Sequence, residues 1–296
     1  MWPLPRATRI GYSLAELMVA MTVIGLLGVA FTRLLVTQGR FADQQNALRS
    51  ARGVARQGMN VMMSELRMVQ DSGGIDSAAT DGKAIRVLVP YRFGLNCGVS
   101  LGKSVVSMLP VDSLVLAQAV YAGYAWRSQA GRYTVVYPGS PLGADAPVAS
   151  ADDQQCRGSN LGQAQIRRVS VAGRSGLELD ITPPEPSAPQ GQAVFFFQRI
   201  TYSFAPSSAF PGQYGLWRSA QGGASEELVA PFDSTARFRY WSGTAATAVA
   251  SPPALAEIRG VDVEFAGKST YAPAGRVSPA KSTVIASIFF KNVRAY

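Results

Sequence analysis

The chain contains no histidine in 296 residues, only two cysteines, and charged residues make up only 16% of it. Without histidine the commonest general base and a frequent metal ligand are missing, so Ser-His-Asp chemistry and His-ligated zinc are excluded. Two cysteines cannot make a Cys-rich metal site or a dense disulfide framework. Acidic residues are also scarce, 19 against 28 basic ones, which leaves a net charge of +9. From Phe31 to Gln70 there is no proline, so nothing in that stretch forbids one continuous helix.

What is present begins with a short basic start, Met1 to Gly11, carrying Arg6 and Arg9 and broken by Pro3 and Pro5. Gly11-Tyr-Ser-Leu-Ala-Glu16 then enters a run of apolar residues through Phe31, interrupted by Arg33 and finished by Leu34, Leu35 and Val36. About 20 largely apolar residues suffice to cross a bilayer if Arg33 snorkels to the interface. An ionised Glu16 at the edge of the hydrocarbon costs on the order of several kcal/mol unless something compensates it. No small-residue A-x-A cleavage site follows the apolar run, as a secretory signal would require; the change of character falls before it, at Gly11. Arg6 and Arg9 favour a cytoplasmic N-terminus, while Arg40, Arg49, Arg52 and Arg56 crowd the other flank. The leader-like start and the two cysteines decide for N-terminus in, domain out.

Gly11-Tyr12-Ser13-Leu14-Ala15-Glu16-Leu17 resembles the class III signal of type IV prepilins and type II secretion pseudopilins, usually Gly-Phe-Thr-Leu-Val/Ile-Glu-Leu. Tyr12, Ser13 and Ala15 are mild departures. The resemblance implies cleavage by prepilin peptidase between Gly11 and Tyr12, methylation of the new amine, and pairing of Glu16 with such an amine on a neighbouring subunit. In low dielectric a charge pair is tolerable where a lone charge is not. An ordinary signal anchor with Glu16 at headgroup level is the alternative.

Beyond the membrane segment, Phe41, Leu48, Ala55, Met62 and Val69 recur every seven residues, with Ala51 and Leu66 alongside. That spacing predicts one apolar stripe on a helix that packs on its own domain. Arg40, Asp43, Arg49, Arg52, Arg56, Glu65 and Arg67 fall on the other faces, and Gly39, Gly53 and Gly58 weaken the helix locally. Asp71-Ser-Gly-Gly predicts the end, with Gly73 or Gly74 as the stop. Many major pilins carry a kinking proline where this chain has Arg33, so no kink is expected.

After residue 80 the pattern turns to short β-type runs between Gly, Pro and Ser. The expected strands are Ala84–Val89, Ser113–Tyr121, Tyr133–Tyr137, Gln165–Val171, Leu177–Ile181, Ala193–Tyr202, Leu216–Arg218, Ala236–Tyr240, Val261–Phe265 and Val284–Phe290, with loops at 139–160, 182–192, 243–256 and 266–282. The reading is an α+β, pilin-like chain with a long N-terminal helix packed on a β-rich domain. Its parts are a leader at 1–11, a membrane or filament-core helix at 12–36, an amphipathic continuation at 37–70 and an exported domain at 71–296. Arg199-Ile-Thr-Tyr-Ser-Phe204, Gly215-Leu-Trp-Arg-Ser219, Glu227-Leu-Val229, Arg237-Phe-Arg-Tyr240, Glu257 to Phe265 and Ser282 to Arg294 resemble the closing sheet of PilW-like pilus-assembly proteins and their J-type pseudopilin relatives. The long loops favour the pilus side.

Export would let Cys97 and Cys156 form a disulfide closing a loop of about 60 residues, worth roughly 4 kcal/mol in the chain-entropy account; two separate buried thiols are the alternative. Cys97-Gly-Val-Ser-Leu-Gly102-Lys-Ser104 lacks the first glycine of a P-loop. Asp71, Asp76 and Asp81 match no calcium-ligand spacing. The basic helix residues could contact DNA phosphates, as in DNA-uptake pilins, but no aromatics interleave with them, so a solvated or intersubunit polar face is preferred. The expectation is a non-enzymatic protein without cofactor or metal. Its expected partners are prepilin peptidase, other pilins or pseudopilins, an assembly platform and the inner membrane.

Overall fold

The computed structural model describes residues 13–69, 74–100, 103–107, 123–126, 137–138, 178–181, 193–220, 223–243 and 245–290. It is an α+β layout: one long N-terminal helix, α1 (Leu14–Leu66), laid on an antiparallel sheet. Helix α1 has 53 residues without a break, including at Arg33. It starts at Ser13, whose side chain caps the first turn, and has no proline to stop it.

The helix ends at Leu66, short of the expected Asp71-Ser-Gly-Gly stop. Its last turn tightens through i to i+3 bonds, Met68 N–H to Glu65 O and Val69 N–H to Leu66 O. This turns Val69 into the core, where it is 2% exposed. Gly74 is no cap; its carbonyl accepts from Leu88 N–H at 2.8 Å, already part of the sheet.

The strands are β1 (Ile75–Ala78), β2 (Ala84–Ser100), β3 (Lys103–Ser107), β4 (Gly123–Trp126), β5 (Tyr137–Pro138), β6 (Glu178–Ile181), β7 (Ala193–Pro206), β8 (Tyr214–Ala220), β9 (Ser225–Phe232), β10 (Arg237–Ser242), β11 (Ile258–Lys268) and β12 (Lys281–Phe289). The main path runs β10-β11-β9-β8-β7-β2-β3-β6, with β1 on β2, β12 on β11, and β4 between β7 and β5. All pairings between them are antiparallel.

Six of the expected strands coincide with observed ones in position: those at 84, 177, 193, 216, 236 and 261, to which the last, at 284, adds a seventh. Ser113–Tyr121, Gln165–Val171, most of Tyr133–Tyr137 and the loops 139–160 and 182–192 lie outside the described residues. Strands β1, β3, β4 and β9 are not among the expected runs. β1 is short and polar; β9 opens on Ser225-Glu226-Glu227 and carries Pro231, features that argue against a strand, and the resemblance assigns only its Glu227-Leu-Val229 to the sheet. β2 runs past its expected end at Val89 because Pro90, lacking an N–H, sits at a bulge: the β2–β7 register shifts between Pro90 and Arg92. The loop expected at 266–282 is shorter at both ends, since Ala266 to Lys268 and Lys281 to Thr283 continue the β11–β12 ladder.

The core lies between the outer half of α1 and the sheet. The helix supplies Ala47, Ala51, Ala55, Gly58, Met62 and Leu66, and the sheet supplies Phe204, Phe232, Phe238, Tyr240 and Phe265. Phe204 is central, with ring centroids 5.4 Å from Phe232, 5.3 Å from Phe238 and 6.1 Å from Phe265. Small residues on the helix let it approach large ones on the sheet. A Cβ on Gly58 would come within 2.9 Å of the Phe232 ring, and one on Gly267 within 2.2 Å of the Ala51 carbonyl. Only part of the heptad row faces the core: Ala55, Met62 and Val69 are buried, but Phe41 is 63% exposed and Leu48 half-buried. A row of sevens drifts by about 20° per heptad on a straight helix, so it leaves the sheet-facing side as it runs towards the N-terminus.

Candidate functional site

The first turn of α1 is a reciprocal cap. Ser13 Oγ accepts from Glu16 N–H at 3.3 Å, and Glu16 Oε2 accepts from Ser13 N–H at 2.9 Å. Such a box satisfies two of the helix's orphan donors and is worth on the order of 1 kcal/mol. The helix dipole adds to it, since a carboxylate in the first turn meets the positive end of the macrodipole. Glu16 therefore has a partner within its own chain. A carboxylate offers about four lone-pair positions, so one N–H bond leaves it able to receive a cation as well. Gly11 and Tyr12, the expected processing residues, lie outside the described residues.

From Ser13 through Ala42 every residue of the helix is exposed. Leu14 is 80% and Leu26 72% exposed, in a stretch that holds Arg33 as its one charge between Glu16 and Val36. One face aligns Ala15, Val19, Ala20, Val23 and Ile24 with Glu16. Leu14 to Val36 spans roughly 34 Å at the α-helical rise, enough to match a hydrocarbon core of about 30 Å. The helix is long and apolar enough to cross a membrane. An exposed apolar surface of this extent marks a contact with lipid or with other chains.

The remaining sequence candidates are placed as follows. Cys97 lies on β2, where the β2–β3 register shifts between Asn96 and Gly98; Cys156, and with it the expected disulfide, lies outside the described residues. Lys103 and Ser104 of the P-loop-like stretch belong to strand β3, opposite Ser100 and Val99, whereas phosphate capture by that motif needs a helix N-terminus. Asp76 pairs with Arg86 at 2.6 Å and Arg199 at 2.8 Å, and Asp81 Oδ1 accepts from Lys83 N–H at 2.8 Å; Asp71 lies outside the described residues. Arg40, Arg49, Arg52 and Arg56 are exposed on the helix, as is Arg67 at its end.

Two contacts tie the helix to the domain, and the sequence reading assigned neither. Glu65, expected on a face other than the apolar stripe, receives Arg218 in a forked pair (Nε to Oε2 at 3.2 Å and an Nη to Oε1 at 2.9 Å) together with the Tyr202 hydroxyl. Burial foremost, then the Glu65 carboxylate, raises the Tyr202 phenol well above its ordinary value. Burial alone would lower Arg218, but Glu65 outweighs it and the guanidinium is held above its ordinary value. At the other end Asp43 Oδ2 accepts from the backbone N–H of Ala274 at 2.6 Å. The sequence signal for both was only an acid on a helix, with the partner more than 130 residues away. No protein-family model matches this chain, and no curated protein and no solved structure is significantly similar to it.

Proposed function

We propose that this chain is a pilin-like minor subunit, cleaved after Gly11, methylated at Tyr12, held in the inner membrane by α1 with its domain outside, and passed into the tip or priming complex of a filament. The observation that carries the reading is the division of one unbroken helix: an exposed apolar half opening on Glu16, and an outer half buried against the sheet. A subunit of this kind must leave lipid for a protein filament without unfolding its domain. A rigid helix shared between the two environments permits that. Glu16, already capped by its own helix, accepts the additional ammonium of a neighbouring processed chain, and this sets register.

The test is mass spectrometry of the mature N-terminus in cells with and without prepilin peptidase. A methylated Tyr12 terminus that depends on the peptidase is expected; an intact Met1 in peptidase-bearing cells refutes the proposal. Glu16→Ala is expected to be cleaved and yet excluded from the assembled complex. A deletion strain that loses twitching assigns the chain to a pilus, and one that loses secretion assigns it to a pseudopilus.

A further inference from the structure

The β11–β12 connection folds back onto the helix just beyond the apolar segment. Its base is pinned by Asp233, which pairs with Lys268 at 3.2 Å and Lys281 at 2.8 Å. Above that, the fully buried Ser269 donates its hydroxyl to Tyr271 O and accepts from Ala280 N–H. The tip is a tight turn closed by Arg276 N–H to Pro273 O at 2.9 Å, with Gly275 at φ +81°. This turn is fastened to α1 by the Ala274–Asp43 bond, and Gly275 sits beside the Arg40 side chain, whose Cδ and Nε lie 3.9 Å from the Cβ position.

Arg40 and Asp43 lie about 6 Å and about 10 Å along the helix past Val36. The headgroup layer adds about 5–7 Å on each side of the hydrocarbon. The helix thus sets Arg40, with Gly275 beside it, within the headgroup layer and the Asp43–Ala274 bond just outside it. The side chains there suit such a surface: Val277 is 103% exposed, Phe41 63% and Tyr271 41%, with the exposed Arg40 and Arg276 adding two cations and Asp43 the one acid. Desolvation, then the nearby Asp43, raises the Tyr271 phenol above its ordinary value. Tyrosine and arginine at an interface, beside an exposed aliphatic side chain, are the composition that anionic headgroups hold.

We propose that the 269–280 loop is a second membrane contact, seating Tyr271, Arg276 and Val277 on the anionic phospholipid surface beside Arg40 and Phe41 and so fixing the tilt of the domain before assembly. This rests on α1 spanning the membrane.

The experiment uses the full chain in nanodiscs of POPE/POPG and of POPC, with p-benzoylphenylalanine replacing Val277 or, as control, Val249. Val249 is 40% exposed and bridges Tyr240, which pairs with Val261, about 20 Å up the strand from Gly267. Lipid adducts several-fold more abundant at 277 than at 249 are expected, and Arg40→Glu with Arg276→Glu is expected to lower them in POPG-containing discs but not in POPC. Equal adducts at the two positions, in a chain that co-elutes with the discs, overturn the loop contact alone. A chain that does not enter the discs overturns the membrane span, and the loop contact with it.

Discussion

Glu65 illustrates how much a single side chain's role depends on what the fold brings to it. On the helix alone it is one more surface acid; in the domain it holds the forked Arg218 pair and the Tyr202 hydroxyl. Truncating Arg218→Ala leaves a part-buried carboxylate short of its partner and is expected to cost about 1–3 kcal/mol, against roughly 1 kcal/mol for Tyr202→Phe. Arg218→Lys is expected to recover little of the loss, because an ammonium cannot reproduce the fork. Urea unfolding of the full chain in detergent, followed by tryptophan fluorescence, measures all three; an Arg218→Ala midpoint equal to wild type refutes the latch. Asp233 and Glu264 act in the same way at other seams. Burial alone would raise both carboxyls, but Lys281, Thr235 and Lys268 around Asp233, and Arg237 and Arg239 around Glu264, hold them below the ordinary carboxylate range. A depressed folded-state pKa gives stability that is complete above the unfolded value of about 4 and is lost as the pH falls through the folded value. The unfolding midpoint is therefore expected to stay level from neutral pH to about 5 and to fall in stronger acid. Asp233→Asn is expected to lower it at pH 7 and flatten the acid slope; an unchanged slope rules Asp233 out as a source.

At the scale of the element, α1 shows two kinds of glycine that look identical in sequence. Gly53 has open space within 4 Å of where a Cβ would stand, whereas Gly58 faces Phe232 at 2.9 Å and Phe265 at 3.1 Å. Gly53→Ala is expected to stabilise by up to about 1 kcal/mol through helix propensity. Gly58→Ala gains the same propensity but overpacks the aromatic cluster at a cost of about 1–3 kcal/mol, for an expected net loss of up to about 2 kcal/mol. Opposite signs in the two thermal midpoints are the check, and a stabilising Gly58→Ala removes the account of helix–sheet packing. The existence of this helix was legible from the absence of proline and the apolar spacing. Its end was not, because Val69 is drawn into the core by tertiary contacts rather than by a Gly stop. The strands with β-branched and aromatic alternation, such as β7 and β11, were legible too. β1 was not, since its polar residues become strand only by pairing with β2, and of β9 only Glu227 to Val229 was, by resemblance.

At the scale of the whole molecule, the described residues divide into a half-helix exposed along its whole length and a domain with a packed aromatic core. Sequence by itself determined the first division, because hydrophobic run length and the lone Glu16 are local properties read directly from neighbours along the chain. The cap at Ser13 is equally local, Ser followed three residues later by Glu, although the sequence expectation for Glu16 was only a partner on another subunit or a place at headgroup level. Tertiary structure alone decided which helix face is buried, why Gly58 and Gly267 must stay small, and that Glu65 and Asp43 are fasteners rather than surface charges. It alone set the 269–280 loop at the height of Arg40. Each of these depends on contacts between residues far apart in the chain, and hydrophobic periodicity carries no information about what lies opposite once the chain has closed.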